Sequence, residues 1–106
     1  MPKFRKKPVV VEARIATQDN YKELEEWGGR NPASRLYNTI PIYRINPIGN
    51  SENGKFVPIG YNIRTIDSIA FAEIGDWIIK GTQGEFYPCK PDIFKETYEP
   101  VEDGDA

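Results

Sequence analysis

At 106 residues, 39% hydrophobic and 28% charged, the chain has the composition of one folded domain with one core, and its 12% aromatic content excludes a disordered chain. Lys and Arg number 14 against 16 Asp and Glu, so the net charge of −2 gives no global attraction to nucleic acid or to an anionic membrane. No apolar run approaches the roughly 18 residues a spanning helix needs, and one cysteine forbids an intrachain disulfide.

Residues 9–15 alternate, with Val9, Val11, Ala13 and Ile15 on one face and Glu12 and Arg14 on the other. That period of two predicts a half-buried strand, with Pro8 placed just ahead of it. A helix follows, capped by Thr17 or Asp19. Tyr21, Leu24 and Trp27 form its apolar stripe, and Gly28-Gly29 stops it. Such a short helix must lie on a sheet to be stable.

From residue 31 onward the pattern is strands and turns. Residues 39–45 (TIPIYRI) predict a strand that Pro41 places at an edge or a bulge. Residues 46–54 read as a polar loop, and 55–66 as an extended stretch broken at Gly60. Residues 68–74, 77–80 and 85–89 predict further strands, separated by turns at Gly75-Asp76 and at residues 81–84. Pro91-Asp92 opens a short helical turn through Phe94 and Lys95, and residues 98–101 read as a last extended piece. The expected fold is therefore α+β, mainly β: a small curled antiparallel sheet or partly open barrel with one packed helix and a short C-terminal helical turn. Residues 1–101 form a single domain in this reading, and 102–106 an acidic tail.

Charge is polarised along the chain. Lys3, Arg5, Lys6 and Lys7 make the start basic, and Glu96, Glu99, Glu102, Asp103 and Asp105 make the end acidic. The three-residue valine run before Glu12 is too short for the core of a signal peptide, which with the lone cysteine predicts a cytoplasmic protein.

Two strings are distinctive. FRKKPVVVEA at 4–13 and GDWIIKGTQGEFYPCKPDIFKETYEPV at 75–101 together resemble the opening and the ending of a family of small, mostly uncharacterised phage and prophage proteins. The resemblance implies a setting, the cytoplasm of an infected bacterium, and no particular activity. The middle, residues 31–66, lies outside it.

The chain has no histidine. That removes Ser-His-Asp and Cys-His nucleophile activation, histidine base catalysis and most zinc and iron sites. Cys89, in YPCKP, reads as a buried structural thiol, with activation by Lys90 as the alternative. GNSENGK at 49–55 matches the G-x-x-x-x-G-K spacing, but Phe56 replaces the hydroxyl residue that would hold magnesium, so it reads as a hairpin loop. The acidic residues are dispersed over turns and a solvated helix face, which predicts a non-enzymatic protein without metal or cofactor.

Aromatic and basic residues interleave on neighbouring strands, and that mixture suits a stacked base with its phosphate held by a cation. It nominates Tyr43, Arg44, Arg64, Trp77, Lys80, Tyr87 and Lys90 as ligand-binding. With the phage setting, these residues lead to the expectation of a counter-defence accessory protein that sequesters a small anionic host ligand, a nucleotide or cyclic-nucleotide immune signal. A homo-oligomer is expected, because so small a domain leaves little interior for a site. The competing expectation is a module that binds a host protein through a strand edge near Pro41 or through the 46–54 loop. Neither expectation involves a membrane or nucleic-acid polymer.

Overall fold

β-Branched and aromatic residues alternating with small or polar ones build two three-stranded antiparallel sheets, in a computed structural model that describes residues 2–5, 7–43, 51, 52, 55, 56 and 58–101, with backbone alone at 51, 52, 55 and 56. The first sheet has the order β1 (Glu12–Ile15), β7 (Trp77–Lys80), β8 (Phe86–Cys89). The second has the order β2 (Thr39–Tyr43), β5 (Pro58–Arg64), β6 (Ile69–Glu73). A hairpin of β3 (Ser51–Glu52) and β4 (Lys55–Phe56) precedes β5, and the helices are α1 (Tyr21–Gly28) and α2 (Pro91–Thr97). The described residues form an open, mainly β structure and not a closed barrel.

Register fixes which side chains meet. In the second sheet Thr39, Ile63 and Ala70 lie abreast, as do Pro41, Tyr61 and Ala72, and these face inward. Tyr61, Ile63 and Ala72 meet Ile78 and Phe86 of the first sheet, Ala16, and Leu24 of α1, with Trp27 and Ile74 packed at the margin. Leu24 and Trp27 therefore do bury the predicted stripe, while Tyr21 stays partly exposed. Trp27 meets Phe86 edge-on at 5.4 Å, and its indole N–H donates to Glu12 Oε1 at 3.2 Å.

The opposite face of the first sheet carries Trp77, Ile79, Tyr87 and Cys89, and α2 covers it. Phe94 stacks on Trp77 with centroids 4.1 Å apart and planes 8° from parallel, and Tyr98 stacks on Phe94 at 5.0 Å. Offset stacking of this kind adds to the area buried.

Four elements differ from the sequence reading. β1 begins at Glu12 and not Val9, because β7 offers only the partners Trp77–Lys80 before the chain turns at Gly81. β5 runs as one strand through Gly60, where Phe71 lies over the space a side chain would occupy, and the expected break appears as a register shift against β2 between Ile42 and Tyr43. Neither Thr17 nor Asp19 caps α1: Asn20 stands at the cap position, and its side chain braces the approach by accepting from Thr17 N–H at 3.0 Å and donating to the Ile15 carbonyl at 2.7 Å. Residues 98–101 make no strand, because Tyr98 is drawn onto the aromatic stack.

Candidate functional site

Three turns converge at one end of the two sheets. The first is the loop after α1, where Asn31 Oδ1 accepts from the Ala33 and Ser34 N–H groups at 2.9 and 3.1 Å. This is an Asx-type turn. Arg30 closes its base by lying 4.2 Å over the Tyr37 ring and donating to the Arg35 carbonyl at 2.8 Å. The second is the β5–β6 turn, held by Thr65 N–H to the Ser68 carbonyl at 2.9 Å. The third is the β7–β8 hairpin, where Gly84 takes a φ of +82° and the Glu85 carboxylate accepts from Gln83 N–H at 3.0 Å.

Between them lies a cleft of about 280 Å³ lined by Asn31, Asn38, Arg64, Thr65, Gln83 and Glu85. Arg64 ends β5, where its N–H donates to the Asn38 carbonyl at 2.9 Å. Its guanidinium Nε is buried with no hydrogen-bond partner, and among the described residues Arg64 forms no ion pair. Arg64 is half-buried on the cleft wall, so an anion placed in the cleft would offset by charge part of the cost of burying its guanidinium. The amides of Asn31 and Gln83 and the Glu85 carboxylate supply further donors and acceptors of the kind that read a polar ligand. Among the described residues no cluster of acidic or thiol groups is arranged to hold a metal.

Tyr43, Trp77, Lys80, Tyr87 and Lys90 do not line this cleft. Trp77 is stacked under Phe94, and the Tyr87 hydroxyl is 3.3 Å from that of Tyr98. Burial, then the hydrogen bond with Tyr98, pushes the Tyr87 phenol well above its ordinary range. The Lys90 ammonium donates to Asp76 Oδ2 at 3.0 Å and stands 3.5 Å from Glu73, so it is already neutralised within the chain. Its pKa is raised mainly by the Asp76 hydrogen bond. Trp77 and Tyr87 thus share one face of the first sheet, occupied by Phe94 of α2 and by Tyr98 just after it, while the Lys90 ammonium is taken up by the β6–β7 turn. Lys80 lies 5.9 Å from the Phe86 ring centroid, opposite Glu12 on the neighbouring strand. Tyr43 ends β2, about two-fifths exposed. Arg44 lies outside the described residues, as do residues 46–50, 53 and 54 of the polar loop.

The hairpin reading of GNSENGK fits the pairing of β3 with β4. The Cys89 thiol is pushed upward by burial, and further by Asp76 and Asp92, which opposes thiolate formation. Sequence reasoning named Arg64 but none of its cleft neighbours. Asn31, Asn38 and Gln83 carry ordinary turn signals, and nothing local shows that their turns meet.

A second, larger groove of about 430 Å³ runs between residues 7–10 and 97–101, floored mostly by Val9, Val10, Tyr98 and Val101. No protein-family model, curated protein or solved structure matches this chain.

Proposed function

We propose that this chain is a non-enzymatic binding protein that holds a small anionic ligand of the nucleotide or cyclic-nucleotide class in the cleft beside Arg64. The observation that carries this reading is Arg64 itself, half-buried on the wall of a cleft rich in amide groups and without an ion pair among the described residues. A planar guanidinium is the side chain best shaped to grip a phosphate by two hydrogen bonds. The volume of about 280 Å³ sits near the lower limit of about 300 Å³ for small-molecule sites, which suits one nucleotide unit per chain. A dinucleotide or cyclic oligonucleotide would be shared between copies, in keeping with a homo-oligomer.

The resemblance of both ends of the chain to small phage proteins supports a counter-defence role in the cytoplasm of an infected bacterium. Sequestration needs no chemistry from the protein, only affinity and abundance. The test is a thermal-shift and calorimetric screen of the purified chain against mono-, di- and cyclic nucleotides, repeated with Arg64→Ala. A ligand at 100 times its dissociation constant adds about 2.7 kcal/mol, a shift on the order of 10 °C for a domain this size. Arg64→Ala is expected to abolish it. A flat screen with the unaltered chain overturns the reading.

A second reading, a module that binds a host protein, has its own observation. The outer face of the second sheet leaves Ile69 and Phe71 59% and 45% exposed, next to Ile40 on the Pro41-bearing edge strand. Apolar surface grouped this way on a sheet is typical of protein contacts. Capture of one stoichiometric partner from host lysate, lost on Ile69→Glu, would favour it over the nucleotide reading.

A further inference from the structure

Among the described residues, the leading segment of the chain joins no sheet. Residues 2–5 and 7–11 form no strand, and Phe4 is 95% exposed, with Val10 at 71% and Val9 at 51%. An aromatic ring left almost wholly in water is unusual for a group whose main contribution to a fold is burial. The apolar groove of about 430 Å³ has residues 7–10 as one of its walls, so the arm that carries Phe4 departs from the edge of that groove. The opposite wall is the end of α2 and the segment after it, with Tyr98 and Val101.

Charge tells what fits there. The arm bears Lys3, Arg5 and Lys7, the opposite wall bears Glu99, and Glu96 of α2 immediately precedes that wall in sequence, all exposed. None of the five has an ion-pair partner among the described residues. A basic arm with an aromatic tip and an acidic wall flanking an apolar groove are complementary, and both occupy the same region of one chain. Two copies related by a two-fold axis can then satisfy both at once, each arm lying along the other's groove, in a closed contact.

We propose that this protein forms a two-fold dimer by reciprocal arm exchange, with Phe4 of each copy seated in the partner copy's groove and Lys3 and Arg5 facing Glu96 and Glu99. The proposal does not rest on the nucleotide reading, since the Arg64 cleft shares no residue with this groove.

Sedimentation equilibrium of the full chain tests it, together with three variants: Phe4→Asp, the double reversal Lys3→Glu/Arg5→Glu, and the double reversal Glu96→Lys/Glu99→Lys. The unaltered chain is expected to dimerise with rising concentration. Phe4→Asp is expected to raise the dissociation constant about tenfold or more, the loss typical of a central aromatic anchor, with unchanged far-UV circular dichroism. Each double reversal places like charges together, so each alone is expected to be monomeric at concentrations where the unaltered chain is dimeric. Mixed in equal amounts they are expected to form a heterodimer, because the acidic arm of one then meets the basic wall of the other and the reverse holds too. A monomer throughout the accessible concentration range overturns the proposal, which would leave the groove to the chain's own arm or to a foreign partner. So does a dimer indifferent to Phe4→Asp, or a mixture that fails to pair.

Discussion

The Tyr61 hydroxyl, fully buried on the central strand of the second sheet, donates to the carbonyl of Thr17 at 2.8 Å. Thr17 follows β1 of the first sheet by two residues, so this one bond ties the two sheets across the core. Tyr61→Phe keeps the ring and removes the donor, leaving a carbonyl without this partner. The expected cost is about 1–2 kcal/mol, measured by urea unfolding, with an unchanged slope against denaturant.

The same residue sets a pH limit. Burial, then the charges of Tyr43, Asp19 and Glu25, raises the Tyr61 phenol from 10.0 to about 12. Tyr87 and Lys90 are also raised. Each holds its proton more tightly folded than unfolded, so the unfolded chain binds fewer protons above pH 10 and stability falls as pH rises. The Tyr61 contribution is complete below about pH 10 and is lost as pH climbs through about 12. Melting temperatures measured between pH 8 and the onset of alkaline unfolding are expected to fall most steeply in that window, and less so in Tyr61→Phe. A curve that is equally steep in the variant would remove Tyr61 as the cause.

Gly60 lies under the Phe71 ring, and a Cβ built there would clash with Phe71 and with the Ala72 carbonyl oxygen. The second obstacle is backbone of the neighbouring strand and cannot swing away. Gly60→Ala is expected to destabilise by about 1–3 kcal/mol. Pairing it with Phe71→Ala should recover only part of this loss in a double-mutant cycle, since the carbonyl remains.

The Trp77–Phe94–Tyr98 stack is the main attachment of α2 to the first sheet. Phe94→Ala is expected to cost about 1–3 kcal/mol, by lost burial and lost stacking, and to change Trp77 fluorescence as its ring is uncovered. Under the proposed reading, in which nucleotides bind beside Arg64, binding survives this change. Loss of binding would return Trp77 to the ligand site.

Asp76 shows how a turn residue becomes a strut. Its carboxylate is nearly buried and accepts from Glu73 N–H at 2.9 Å as well as from Lys90. Asp76→Ala leaves that N–H and the ammonium without their acceptor, and is expected to cost more than Lys90→Ala, whose ammonium end is half exposed. The comparison needs only the two melting curves.

Much of this was readable in the sequence. Periodicity placed β7 at its correct bounds and β6 and β8 to within a residue at each end, because period-two patterning and glycine turns are local properties of the chain. The lack of histidine and the lone cysteine limited the chemistry before any fold was known. Of the aromatic residues nominated, Trp77 and Tyr87 do lie on adjacent strands. What each of them does was decided elsewhere. Lys90 and Arg64 look alike as cations near aromatic residues, yet Lys90 meets Asp76, which is 14 positions away, while the guanidinium Nε of Arg64 meets no acceptor. The cleft itself joins turns near residues 31, 65 and 83. Such meetings depend on how two sheets pack, a long-range balance of burial and shape that no short window of sequence contains. Local patterning therefore determined the elements, and tertiary packing alone decided that Lys90 is paired with a carboxylate while Arg64 has no ion pair among the described residues.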